Sequence, residues 1–140
     1  MENKVTIKPI PRWWKFLPFV GADLAMARYP YIYLPQHIYH RWLDGKLGFH
    51  DEAMILHETM HLHRQNELGL LTYTTKYYLS KKFRLREELY AIKEQMAFLK
   101  QHAQRYDCDR KAKQFASSEY FWVTSYVEGK KILDDLWAQA

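Results

Sequence analysis

Two histidines spaced four residues apart have the clearest chemistry in this chain. His57 and His61 enclose Glu58 in the string H-E-T-M-H, which has the form H-E-x-x-H. Residues four apart lie on the same face of a helix, so both imidazoles can bind one metal ion. Glu58 is rotated about 100° from His57 around such a helix, which directs its carboxylate to a water on the metal. The pattern predicts a zinc-dependent hydrolytic centre with Glu58 as the catalytic general base.

The residues around the motif predict the helix that this geometry requires. Asp51 is a candidate N-cap, and the acidic Glu52 suits the first helical turn. The apolar residues between positions 53 and 62 spread around nearly the whole circumference, which is typical of a buried helix. Buried His and Glu side chains need polar partners, and a metal ion with a bound water would provide them. The motif is therefore expected to face the interior.

A second predicted helix, over 84–104, offers a third metal ligand. Its apolar residues alternate in steps of four and three and form one inward stripe: Leu85, Leu89, Ile92, Met96, Leu99 and Ala103. Glu88 lies about 60° from the centre of that stripe, whereas Glu87 and Glu94 point towards solvent. Glu88 is therefore predicted to complete the metal site, and Glu87 to be a surface residue.

The string from His57 to Gln65, followed by Glu88-Leu89-Tyr90-Ala91, resembles the gluzincins, a clan of zinc metallopeptidases. In that clan a Glu on a later helix, often within E-x-x-A or E-x-x-S, completes the H-E-x-x-H site. The chain is similar in size to minigluzincins and small prokaryotic or phage H-E-x-x-H proteins, and the resemblance covers roughly residues 25 to 105. Family patterns often place Asp directly after E-x-x-A, where this chain has Ile92. The resemblance implies a zincin-like fold, a peptide or protein substrate, Zn²⁺ as cofactor, and three ligands: His57, His61 and Glu88.

A stretch of β-forming residues upstream of the motif is predicted to bind the substrate. Residues 25–34 read as one strand that ends at Pro35. In zincins an edge strand beside the active helix pairs with an extended peptide, which adds a strand to the sheet. The Tyr-Ile-Tyr-Leu stretch stands in the corresponding sequence position. We therefore expect an edge strand that contains three substrate-binding residues: Tyr31, Ile32 and Tyr33.

The remaining elements predict a single α+β domain over 1–140. A short strand is expected at 4–10, and further helices are predicted at 36–42, 70–79, 110–117 and after the capping-box sequence that starts at Ser125. The predicted zincin-like architecture is a small N-terminal sheet packed on the H-E-x-x-H helix, with a C-terminal helical bundle. A chain of 140 residues, 48% of them hydrophobic, can bury a core of its own. The single Cys108 cannot form an internal disulfide, which suits a reducing compartment.

Charge and hydropathy give expectations about location and partners. No apolar run reaches membrane-spanning length, and Ile10–Val20 is broken by prolines, tryptophans and charges. No signal peptide or transmembrane segment is predicted, and the cytoplasm is the expected location. The net charge is +5, and basic residues cluster over 76–86: Lys76, Lys81, Lys82, Arg84 and Arg86. Such a face could attract nucleic acid, but no nucleic-acid motif accompanies it, and a solvated helix junction is the favoured interpretation.

Three functions are compatible with these patterns. A zinc metalloendopeptidase is favoured, because a purely structural metal site has no need of a base such as Glu58. The alternatives are a catalytically weak zincin-like module of phage or mobile-element type that binds peptides, and a nucleic-acid-associated protease. The sequence does not choose a donor for the developing oxyanion among four candidates: His63, Tyr90, Tyr120 and Tyr126.

Overall fold

The computed structural model describes residues 5–16 and 24–140, so residues 17–20 of the stretch used in the signal-peptide argument lie outside it. The described residues form an α+β structure that is mostly helical. Three strands are present: β1 (Thr6–Pro9), β2 (Met26–Arg28) and β3 (Tyr31–Leu34). Six α-helices follow: α1 (Gln36–Leu43), α2 (Phe49–Leu68), α3 (Leu70–Leu79), α4 (Lys81–Gln101), α5 (Cys108–Phe115) and α6 (Tyr126–Gln139). Two compact units can be distinguished, one ending at Thr74 and the other covering Thr75–Ala140.

The sheet of the first unit has the strand order β1-β3-β2. β3 runs parallel to β1 and antiparallel to β2, and Ile32 is paired with Ile7 on one side and Ala27 on the other. The prediction that Tyr31, Ile32 and Tyr33 form an edge strand is therefore wrong, because they belong to the central strand. The predicted single strand over 25–34 is interrupted by a turn at Tyr29–Pro30, since proline cannot donate to a sheet ladder.

The hydrophobic core of the first unit lies between this sheet and the helices that follow it. Ile32 and Leu34 of β3 pack with Ile38 of α1 and Leu62 of α2. On α2 the buried residues form mainly one line with a spacing of four: Ala53, His57, His61 and Gln65. The expectation that α2 is buried on all sides is wrong, because Phe49 is exposed and the apolar residues 54–56 are only half-buried. The buried stripe of α2 is instead the one that carries His57 and His61.

The N-cap of α2 lies three residues before the predicted one. Gly48 is the N-cap, and the carboxylate of Asp51 accepts a hydrogen bond from the Gly48 N–H at 3.2 Å. Arg41 of α1 donates from Nε and Nη2 to the two oxygens of the same carboxylate, at 2.9 and 2.8 Å. Burial raises the pKa of Asp51, but the hydrogen bonds from Arg41 and Gly48 outweigh that effect and leave the pKa below its ordinary value.

The second unit is a set of helices around its own apolar core. The core residues come from α4, α5, α6 and the segment before α6: Ile92, Met96, Cys108, Ala112, Phe115, Val123 and Leu133. Ser125 caps α6 by accepting from the Glu128 N–H at 3.2 Å, which confirms the predicted start of the last helix. Cys108 is the first residue of α5, and burial raises the pKa of its thiol to about 11.

Candidate metal centre

The two histidines of the motif lie on the buried face of α2 with their ring nitrogens converging. His57 and His61 are 5% and 7% exposed, and their Nε2 atoms are 3.1 Å apart. Two imidazoles on one tetrahedral zinc ion, with Zn–N bonds of about 2.05 Å, have nitrogens about 3.3 Å apart. The observed separation is close to that value, so the two rings are already arranged to share one ion.

Glu88, the third predicted ligand, lies on α4. Its side chain is buried, at 3% exposure. Two imidazole nitrogens and one carboxylate oxygen are donors that zinc accepts in three-ligand sites with an open fourth position. The residues therefore fit the ion that the motif predicts.

The neighbouring Glu87 is not the surface residue that the sequence predicted. It is 2% exposed, and Arg84, one turn earlier, is also 2% exposed. The N-terminal half of α4 is buried over a wide arc that includes charged residues, whereas the apolar stripe used in the prediction marks only part of that arc. Burial therefore does not separate Glu87 from Glu88.

Glu58, the predicted base, binds the backbone of β2. Its Oε2 atom accepts a hydrogen bond from the Ala27 N–H at 2.8 Å. Gln65, seven residues later on α2, donates from Nε2 to the Ala27 carbonyl at 2.9 Å and accepts from the Tyr29 N–H at 2.7 Å. Glu58 and Gln65 of α2 therefore form hydrogen bonds with the backbone of β2 and of Tyr29, which follows it. The sequence analysis missed Gln65, although its spacing of four from His61 places it on the same helical face.

Two tyrosines of α3 contact the predicted metal ligands. The Tyr73 hydroxyl and His61 Nδ1 share a hydrogen bond of 3.0 Å, and the Tyr77 hydroxyl donates to Glu88 Oε1 at 2.5 Å. Tyr73 is 4% exposed. Sequence analysis missed both residues, and their spacing of four along a predicted helix was the only available indication.

The four candidate oxyanion donors differ in their surroundings. Tyr126 is exposed and donates to Asp109 at 2.5 Å, and the Tyr120 hydroxyl accepts from Lys111 Nζ at 3.0 Å. His63 and Tyr90 are exposed. A further hydroxyl, which the sequence analysis did not consider, is that of Tyr106. Burial, followed by the negative charge of Glu88, raises the pKa of Tyr106 well above its ordinary value, so this phenol stays protonated at neutral pH.

One member of the basic cluster over 76–86 has a structural role. The Arg84 guanidinium is buried and donates to the backbone carbonyls of Tyr77, at 2.5 Å, and Tyr120, at 3.1 Å. The remaining four cationic residues of the cluster are exposed: Lys76, Lys81, Lys82 and Arg86. The predicted basic surface is therefore smaller than the sequence suggested.

Comparison of the chain with protein-family models, curated proteins and solved structures found no match. The likeness to gluzincins therefore depends on the motif residues, and the zincin-like fold stays a prediction. In the part of the chain that the structure describes, no helix is long and apolar enough to cross a bilayer.

Proposed function

We propose that this chain is a zinc-dependent metallopeptidase in which His57, His61 and Glu88 hold the metal ion and Glu58 is the general base. The observation that carries the proposal is the convergence of two buried imidazole nitrogens, 3.1 Å apart, on the helix of the H-E-x-x-H motif. Glu88, a buried carboxylate, is the third ligand that the sequence predicts. Desolvating three such groups is costly, and binding a divalent cation is a common way to offset that cost.

The chemistry divides between the ion and the protein. A bound zinc ion would act as a Lewis acid on the scissile carbonyl and lower the pKa of an attacking water. Glu58 accepts the proton of that water and returns it to the leaving amine. The Ala27 N–H, 2.8 Å from Oε2, holds the Glu58 carboxylate in position before the substrate binds. His57 and His61 would bind the ion through the Nε2 lone pairs of neutral imidazole rings.

A second candidate function is a zincin-like peptide-binding module without hydrolytic activity. The observation that favours it is the same hydrogen bond from Ala27 to Glu58. Because this bond ties α2 to β2, a protein that no longer hydrolyses peptides would still have a reason to keep Glu58. An intact Glu58 is therefore weaker support for catalysis than the sequence alone suggests.

The test combines metal analysis with peptide cleavage. Purified protein should contain about one zinc per chain and cleave casein or members of a peptide library. Glu58→Gln should keep the zinc, because its amide oxygen can still accept from Ala27, and lose cleavage by about 100-fold or more. Glu52→Gln is the matched control, since Glu52 is an exposed carboxylate on the same helix, and it should behave as wild type.

The metal ligands are tested separately. His57→Ala, His61→Ala and Glu88→Ala should each lose zinc, because a three-ligand site has no spare donor. Full zinc content in both histidine variants would refute the proposed centre. Zinc binding by wild type without cleavage of any substrate would favour the peptide-binding module.

A further inference from the structure

We propose that Tyr73 and Tyr77 of α3 are positioning residues that orient two metal ligands, His61 and Glu88. The inference rests on the metal site of the proposed function. The two tyrosines are four residues apart on one helix, so their side chains point to the same side. Each hydroxyl forms a hydrogen bond with a different ligand. One turn of α3 thus contacts two of the proposed ligands.

The bond from Tyr73 sets the tautomer and ring orientation of His61. A neutral histidine that binds a metal through Nε2 carries its proton on Nδ1, which then needs an acceptor. The Tyr73 oxygen lies 3.0 Å from Nδ1 and is the acceptor in that tautomer. Both residues are buried, at 4% and 7% exposure, so water does not compete strongly for the proton. Tyr73 therefore keeps the Nε2 lone pair of His61 directed at the ion.

The bond from Tyr77 fixes the rotation of the Glu88 carboxylate. The Tyr77 hydroxyl donates to Oε1 of Glu88 and so restrains that oxygen. The backbone that carries Tyr77 is itself held, because the buried Arg84 donates to the Tyr77 carbonyl. A carboxylate restrained in this way loses less rotational freedom when it binds an ion, which increases the metal affinity.

At the position after Ala91, α4 has no carboxylate that could form a hydrogen bond with a metal ligand. That residue is Ile92, which is fully buried in the apolar core of the second unit. Hydrogen bonds to metal ligands typically change metal affinity by 10- to 100-fold, so an outer partner for His61 and Glu88 has a measurable effect. The phenol hydroxyls of α3 provide these partners.

The experiment compares three Tyr→Phe substitutions on one helix in the full chain. Tyr73→Phe and Tyr77→Phe remove only a hydroxyl, and each should weaken zinc binding by about 10- to 100-fold in competition with a chromophoric chelator. Tyr78→Phe is the control, because Tyr78 is 57% exposed on the same helix, and its affinity should stay within about twofold of wild type. The visible spectrum of the Co²⁺-substituted protein should change in the first two variants only.

A second measurement can be made on the wild-type protein itself and then repeated on two variants. ¹⁵N NMR of the metal-free protein should show His61 protonated on Nδ1, and Tyr73→Phe, but not Tyr78→Phe, should reduce that tautomer. His61 protonated on Nε2 in wild type would overturn the role of Tyr73, even if the Tyr73→Phe protein does not fold. Wild-type affinity in either Tyr→Phe variant would overturn the role of the tyrosine concerned. Absence of zinc binding by wild type would instead refute the proposed function, so the two failures are distinguishable.

Discussion

Replacing Gln65 by methionine should loosen β2 from α2 without changing the size of the side chain much. Gln65 is 6% exposed, and its amide group forms both hydrogen bonds that link it to the strand. Methionine has a similar length and fills the space, but it neither donates to the Ala27 carbonyl nor accepts from the Tyr29 N–H. The substitution therefore leaves the Ala27 carbonyl and the Tyr29 N–H without the partner that Gln65 provides.

The size of the effect follows from these two bonds. A hydrogen bond contributes about 1 kcal/mol net, and a buried group left without its partner costs about 1 to 3 kcal/mol. Ala27 and Tyr29 are half-buried, so water can reach them in part, and the lower end of the range applies. We expect a loss of about 2 kcal/mol in the free energy of unfolding. For a chain of 140 residues this corresponds to a fall in Tm of about 8 °C, at about 4 °C per kcal/mol.

The measurement is urea denaturation followed by circular dichroism, together with hydrogen exchange of the Tyr29 amide. Exchange at Tyr29 should accelerate in Gln65→Met, because opening of the strand no longer breaks a bond to α2. Asn66→Met is the control: it makes a comparable replacement at the next residue of the helix, which is exposed, and should change stability by less than about 0.5 kcal/mol. If Gln65→Met is as stable as this control and Tyr29 exchange is unchanged, the two hydrogen bonds do not stabilise the strand.

Three further predictions concern other parts of the chain. Glu87→Ala should destabilise the protein by about 1 to 3 kcal/mol in urea denaturation, because Glu87 is buried, whereas Glu94→Ala at an exposed position should have little effect. Gly129→Ala should lower Tm, because the added Cβ would lie 2.6 Å from Thr124 Oγ1. In a Thr124→Ala background the same substitution should raise Tm, because only the better helix propensity of alanine remains. Asp51→Asn should destabilise the protein at neutral pH. The difference from wild type in the free energy of unfolding should shrink as the pH falls below about 4, because a lowered pKa means that only the ionised carboxylate stabilises the fold. A constant difference down to about pH 2 would contradict this.

Local spacing was sufficient to predict that His57 and His61 converge. The two residues are on one helix, so their convergence depends on helix geometry alone, and the apolar stripe of α4 was enough to predict that Glu88 is buried. The same stripe failed for Glu87, because apolar periodicity detects burial among apolar neighbours only. Where a helix is buried with charged residues such as Arg84 on it, the pattern underestimates the buried arc.

Longer-range features were beyond the reach of sequence patterns. The turn at Tyr29–Pro30 divides the predicted strand, and the resulting hairpin moves Ile32 into the centre of the sheet. The side chains of Tyr73 and Tyr77 reach ligands 12 and 11 residues away along the chain, which no local periodicity indicates. Helix positions were easier to predict: α1, α3 and α6 all lie near their expected ranges, since capping residues and periodicity are local.

The hydrogen bonds between α2 and β2 have an unequal effect on which mutations the chain can accept. Glu58 and Gln65 contribute side chains, whereas Ala27 and Tyr29 contribute only main-chain atoms that every residue except proline possesses in full. Within the space available, positions 27 and 29 can therefore vary while the linkage survives. Positions 58 and 65 must retain particular chemical groups. Related sequences would show restriction on the helix with no matching change on the strand, and a search for correlated substitutions between the two segments would miss the linkage.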